Sequence, residues 1–237
     1  MNNVISACII DIDATITNDR NKPQMNSEYP LDNAVVNVLA DLAKEHGRKH
    51  TEVRQALKTY ADEHVFWDYP DLIHCLALPE NEAWTWLEQW HREEIIVYPD
   101  AVEMVKILHA AEMPLYIVSN NPLSGCHLKL QRAGLAKRDG SAWFREVFGS
   151  NVCMGQKSQP EFWNRCLDRI GIPPGEIAIV GDNPKEDGAV PRSCGVGTVV
   201  LVDRKRVSRM EKTPEAILTN TLDCAPGLLL SKCGIVA

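Results

Sequence analysis

Two carboxylates two residues apart, Asp11 and Asp13, follow directly on the apolar run at residues 4–10, and Thr15 stands two residues further on. Alternate side chains of an extended chain lean the same way, so the two anions repel unless a cation lies between them. A divalent metal is the natural remedy. Two more polar sites have the same setting at the end of an apolar stretch, and a lysine joins them from a loop. Ser119 and Asn120 follow residues 115–118, Asp182 and then Asp187 follow residues 177–180, and Lys157 stands in a loop ahead of Pro160. The set holds four carboxylates, an ammonium, a hydroxyl and backbone N–H groups at a helix start, which suits phosphoryl transfer. One carboxylate can attack phosphorus, and another can protonate the leaving oxygen and later take a proton from water. Mg²⁺ favours a few carboxylates together with phosphate oxygens. Ser119, the Asn120 N–H and Lys157 can hold the phosphoryl oxygens.

Groups so far apart in sequence converge only if their strands end on one edge of a sheet. The apolar runs at 4–10, 115–118, 177–180 and 197–202 alternate with helical patterns at 100–108, 123–133 and from Pro160 to Ile170; residues 147–148 and 152–153 are further short apolar pieces. Strand and helix in alternation imply a parallel, doubly wound sheet whose carboxyl ends share an edge. Asp100 is read as a helix cap, as is Thr51. Residues 17–97 break the alternation. After a polar loop through Asn18–Pro23, helical spacing is read over residues 31–46, 51–64 and 81–92, which is too long for a simple crossover and marks an inserted helical subdomain. Within it Trp86 and Trp90 fall on an apolar face with Ala83 and Leu87, and Trp84 falls off that face, free to reach substrate or a partner. Residues 66–69 are read as packing between helices, with a specificity loop as the alternative. His46 and His50 lack the further ligands that a metal site would need.

The 237 residues are 45% apolar and carry a net charge of −7, which argues against a general nucleic-acid binder. The first apolar run is too short for a signal peptide or a membrane span, so a cytoplasmic protein is expected. Eight cysteines show no C-x-x-C spacing and read as reduced core thiols. The basic run Arg204–Arg206 reads as solvated loop.

The four motifs, in this order, resemble those of the haloacid dehalogenase superfamily of hydrolases: D-x-D-x-T at Asp11–Thr15, the strand-ending Ser119, Lys157, and G-D-x-x-x-x-D from Gly181 to Asp187. The likeness covers residues 1–16 and 98–230, and the insert is similar to the cap of the phosphoglycolate-phosphatase-like branch. The resemblance implies a Rossmann-like α/β core (1–16 and 98–237) with a helical cap (17–97). It implies Asp11 as nucleophile and metal ligand, and Asp13 as acid/base and, through its carbonyl, a metal ligand. Lys157 would be catalytic and, with Ser119 and Asn120, would bind phosphate; Asp182 and Asp187 would hold Mg²⁺. The expected activity is Mg²⁺-dependent hydrolysis of a small phosphorylated metabolite through an aspartyl-phosphate, with the cap closing over the site. A phosphomutase is the near alternative; a phospho-accepting receiver or a non-catalytic binding protein belongs to other classes. Asp13 argues against dehalogenation and phosphonate cleavage. Four positions depart from the common pattern: Ala14 where many relatives have Gly, Ser158 and Gln159 after the lysine, and Asn183 after Asp182.

Overall fold

The structure is a computed structural model that describes residues 4–20, 29, 31, 34–137 and 143–232. Residues 21–23 of the expected loop, Asp32 and Asn33 at the expected start of the first insert helix, and Cys233 lie outside the described residues. The chain forms two compact units, Met1–Asn18 with Val97–Ala237, and Asp19–Ile96.

The strands are β1 (Ala7–Ile10), β2 (Thr17–Asp19), β3 (Ile95–Val97), β4 (Leu115–Val118), β5 (Glu146–Phe148), β6 (Ile177–Gly181), β7 (Thr198–Val202), β8 (Met210–Lys212) and β9 (Ile217–Thr219). β2 pairs with β3, and the others form one sheet in the order β5-β4-β1-β6-β7-β9-β8. All its pairings are parallel except β8 with β9. Ile10 of β1 lies opposite Ile117 of β4 on one side and Val180 of β6 on the other. The three strands that carry Asp11, Ser119 and Asp182 are therefore adjacent and end level.

In the insert, α1 (Ala34–Glu45) buries Val35, Val36, Leu39 and Leu42. α2 is His50–Glu63, so Thr51 lies within its first turn and does not cap it; the Lys49 N–H donates to Glu52 Oε2 at 3.2 Å instead. Residues 66–69 lead into a further helix, α3 (Tyr69–Cys75). Asp68 accepts from the Tyr69 N–H, and the Asp68 N–H donates to Asp71, both at 2.8 Å. α4 (Glu80–Glu94) buries Ala83, Leu87 and His91. Its buried stripe is turned from the expected one: Trp86 and Trp90 are only half-buried, and the half-buried Trp84 has its ring 6.5 Å from that of the buried Tyr69.

In the sheet unit, α5 (Pro99–Ala110) and α6 (Leu123–Arg132) contribute Met104, Val105, Leu108, Cys126 and Leu130 to a core that takes Cys8, Ile10, Ile117 and Val180 from one face of the sheet. α7 (Pro160–Ile170) contributes Phe162, Trp163 and Cys166 to a second core, with Ile9, Val118 and Ile179 from the other face. Burial on both faces is why these strands read as unbroken apolar runs rather than as alternations. α7 starts with Pro160, whose fixed φ suits a first turn, and ends at Gly171 in the left-handed region (φ 68°). α8 (Val190–Ser193) and α9 (Ala225–Leu230) complete the unit.

The short apolar piece at residues 152–153 forms a turn. Two local expectations are corrected here. Asp100 accepts no hydrogen bond from its own helix; its carboxylate takes the Leu222 N–H (2.8 Å), the Thr221 hydroxyl and the Arg204 guanidinium. Arg204 is accordingly not solvated loop: it pairs with Asp100 at 2.9 Å, lies 3.6 Å from the Tyr98 ring centroid and donates to the Thr15 carbonyl at 2.9 Å. The seven described cysteines are all free thiols. Among the described residues no helix is long and apolar enough to cross a membrane.

Candidate active site

β1 passes its last ladder bond to the site itself, because the Asp11 N–H donates to the Val180 carbonyl at 2.9 Å. That bond fixes the Asp11 backbone against β6. Next the chain turns sharply: Thr15, Ile16 and Thr17 all donate to the Ile12 carbonyl, and Ala14 is in the left-handed region at φ 56°. An alanine costs about 1 kcal/mol there, so the turn tolerates the missing glycine at a modest loss. The turn brings the Thr15 hydroxyl back to Asp11 Oδ2 at 3.2 Å, and Arg204 holds the Thr15 carbonyl from behind.

Lys157 Nζ lies 2.5 Å from Asp11 Oδ1 and 2.5 Å from Asp187 Oδ1, and all three side chains are buried. The lysine is anchored by its backbone as well: its N–H donates to Asn120 Oδ1 (2.8 Å), and its carbonyl accepts from the buried Trp163 indole (2.9 Å). Asp187 is carried by a single π-helical turn, Pro184–Ala189, closed by the Val190 N–H on the Lys185 carbonyl. Asn183 makes that turn possible, because its Oδ1 accepts from Lys185 and Glu186. Asp187 then accepts the N–H groups of Asp182 (3.2 Å) and Asn183 (3.0 Å) and so folds back beneath the end of β6.

Asp11, Asp182 and Asp187 each offer an oxygen, and these atoms lie within 4.8 Å of one another. Oxygen donors bearing more negative charge than one lysine offsets are a fit for a hard divalent cation. The electrostatics carry the mark of that crowding. Burial, with the charges of Asp187 and Asp13 added, raises the Asp11 carboxyl well above the ordinary range against the pull of Lys157. Burial and Asp187 likewise raise Asp182 to about 6. Burial alone would lower Lys157, but Asp11 and Asp187 outweigh it and raise the ammonium's pKa.

The carboxylate of Asp13 is not in the cluster. One of its oxygens is paired with Lys129 and the other accepts from Asn121, and against the cost of burial these donors hold its carboxyl below the usual range. Ser119 is buried at the end of β4, and its hydroxyl accepts from the Asn121 backbone N–H (3.1 Å) and side chain (2.9 Å). Asn120 is exposed and donates to Glu186 at 3.0 Å. All seven residues singled out in the sequence thus meet on one edge of the sheet. Asn121 and Lys129 were not singled out and Arg204 was read only as part of a solvated loop; a lysine among the buried positions of α6 is the one signal that pointed to a role for any of them.

A family model for haloacid dehalogenase-like hydrolases matches residues 5–195. The chain belongs to the haloacid dehalogenase-like hydrolase family. Among curated proteins, this hydrolase is similar to an enolase-phosphatase E1 of Xylella fastidiosa, 27% identical over 184 residues, covering 70% of this chain and 75% of that protein. Its fold is that of a haloacid dehalogenase-type phosphatase from Thermococcus onnurineus (TM-score 0.59, 24% identity, 95% of this chain and 98% of that one). A 2-haloacid dehalogenase from Pseudomonas syringae shares the fold too (TM-score 0.57, 15% identity, 96% and 99%). At these identities the two structures speak for the α/β fold of the hydrolase, and its own site residues must carry the choice of reaction.

Proposed function

We propose that this hydrolase is a phosphatase that cleaves the phosphate ester of a small metabolite through an aspartyl-phosphate on Asp11. The observation that carries the reading is the division of the carboxylates: Asp11 lies in the cluster with Asp182 and Asp187, while Asp13 stands outside it with donors on both oxygens. Ester cleavage needs a proton carrier besides the nucleophile, since an alkoxide leaves poorly. Halide leaves as a stable anion and needs none, so Asp13 would be idle in a dehalogenase. The similarity to the Xylella enolase-phosphatase points the same way.

Asp11 attacks phosphorus as the bond to the leaving oxygen breaks, and Asp13, which takes up a proton as the anionic ester comes to lie beside it, delivers that proton to the leaving oxygen. Water then attacks the phosphorus, Asp13 takes its proton, and the bond to Asp11 breaks to release inorganic phosphate and restore the carboxylate. Lys157, Ser119 and the Asn120 N–H hold the phosphoryl oxygens. Asp11, the Asp13 carbonyl, Asp182 and Asp187 would hold Mg²⁺, which when bound offsets the repulsion between the anionic nucleophile and its anionic substrate. A cytoplasmic setting, with no nucleic-acid partner, belongs to the same proposal. The test is phosphate release from a panel of metabolite esters with and without Mg²⁺, using wild type and Asp11→Asn. Metal-dependent release by wild type alone is expected; no such release from any ester, or retention of it by the variant, refutes the reading.

A further inference from the structure

The chemistry proposed above gives work to one buried lysine and leaves a second unused. Lys129 lies on the inward side of α6 beside Cys126 and Leu130, with its side chain only 7% exposed. Its ammonium is paired with one oxygen of Asp13, and the Asn121 side chain donates to the other while also donating to Ser119. The carboxylate is thus gripped at both ends by residues that follow β4, yet 46% of the Asp13 side chain remains accessible. An ion pair with one partner open to solvent is a poor device for stability alone, because water screens it. Its gain is geometric: a short side chain on a turn next to a strained alanine is confined to one orientation.

We propose that Lys129 is a positioning residue of the reaction, fixing the Asp13 carboxylate in the orientation from which it reaches the leaving oxygen, with Asn121 completing the grip. The inference rests on the phosphatase reading, and it makes a demand that a purely structural lysine would not. Leaving-group protonation matters for a poor leaving group such as an alkoxide and hardly at all for a dinitrophenolate. Loss of Lys129 must therefore hurt the two kinds of ester unequally.

The experiment compares wild type, Lys129→Met, Lys129→Arg and Asn121→Ala on an alkyl phosphate turned over by wild type and on 2,4-dinitrophenyl phosphate. The readout is kcat/KM, which reports steps up to transfer onto Asp11. Misplacing a general acid costs on the order of 10- to 100-fold, so Lys129→Met should lose about that much on the alkyl ester and less than about 3-fold on the dinitrophenyl ester. Inhibition by inorganic phosphate should keep its wild-type constant, and Lys129→Arg should recover part of the loss. Equal losses on both esters, or none, overturn the proposal. Should Lys129→Met fail to fold, Asn121→Ala, which frees the other oxygen, must show the same unequal loss. A crystal structure of the folded variant separates this inference from the phosphatase reading. If wild type hydrolyses neither ester, the phosphatase reading fails, while an Asp13 carboxylate that keeps its wild-type position without its lysine overturns the grip.

Discussion

Gly181, the last residue of β6, tests how the carboxylate cluster is assembled. A Cβ built there would lie 2.5 Å from the Asp187 Cβ and nearer still to its carboxyl group, a separation that real Cβ atoms do not show. Asp187 is fully buried, and it can clear the added methyl only by moving away from the end of β6 where its partners lie. In Gly181→Ala it must give up the N–H groups of Asp182 and Asn183 and its ion pair with Lys157. Hydrogen bonds to a charged group contribute about 1.5–3 kcal/mol each, so the two backbone bonds alone are worth roughly 3–6 kcal/mol. Adjustment of the π-helical turn recovers part of this, which leaves an expected loss of about 2–4 kcal/mol. Urea unfolding reads that loss as a lower midpoint at unchanged slope. Because Asp187 leaves the cluster, the rise in Tm on adding Mg²⁺ should shrink as well. Gly227→Ala in α9 is the control: its Cβ meets nothing within 4 Å, and replacing a helical glycine should gain about 0.5–1 kcal/mol. A Gly181→Ala protein within about 0.5 kcal/mol of wild type, with its full response to Mg²⁺, would refute the reasoning.

Other substitutions probe the supports around the site. Trp163→Phe removes the donor to the Lys157 carbonyl and should cost about 1–3 kcal/mol in urea unfolding; a smaller change would mean that the indole does not anchor the lysine loop. Ala14→Gly relieves the left-handed turn and should hold stability level or raise it by up to about 1 kcal/mol, and a clear loss would contradict the strain assigned there. Asp100 is partly buried, which alone would raise its pKa, but the bonds from Arg204 and Leu222 bring it below the ordinary value. A depressed folded pKa gives stability that is present above the unfolded value, near 4, and is lost as pH falls through the lower folded one. The stability gap between wild type and Asp100→Asn should therefore be full at pH 7 and close progressively below about pH 4; a gap independent of pH would show that the carboxylate charge is not what matters.

Much of this site was legible because parallel strands announce themselves. β1, β4 and β6 are apolar runs that stop at Asp11, Ser119 and Asp182, and a sheet buried on both faces leaves no other reading for such runs. What escaped was long-range pairing. Arg204 looks solvated beside Lys205 and Arg206 because nothing local shows that Asp100 and Thr15, at far separations in sequence, supply its partners. Lys129 was hidden by the ordinary helical period of its neighbours, although a lysine between buried Leu128 and Leu130 was a usable sign. α3 was missed because its seven residues are too few for a periodicity and its aromatic start reads as packing; the Asp68 and Asp71 pair at its entrance was the better guide. In α4 Ala83 and Leu87 of the expected face are buried, but His91 rather than the bulky Trp86 and Trp90 completes the buried stripe. Strands β8 and β9 have three residues each, and β8 is fully exposed, so neither offers a pattern of burial.

The account turns on Asp11 as the atom donor to phosphorus. The most direct measurement is mass spectrometry of the Asp11 peptide from enzyme quenched in acid during turnover of a phosphate ester with Mg²⁺. One phosphoryl group on Asp11, absent without the ester, is the predicted result. Steady turnover with Asp11 unmodified, or with the phosphoryl group on another residue, would contradict it.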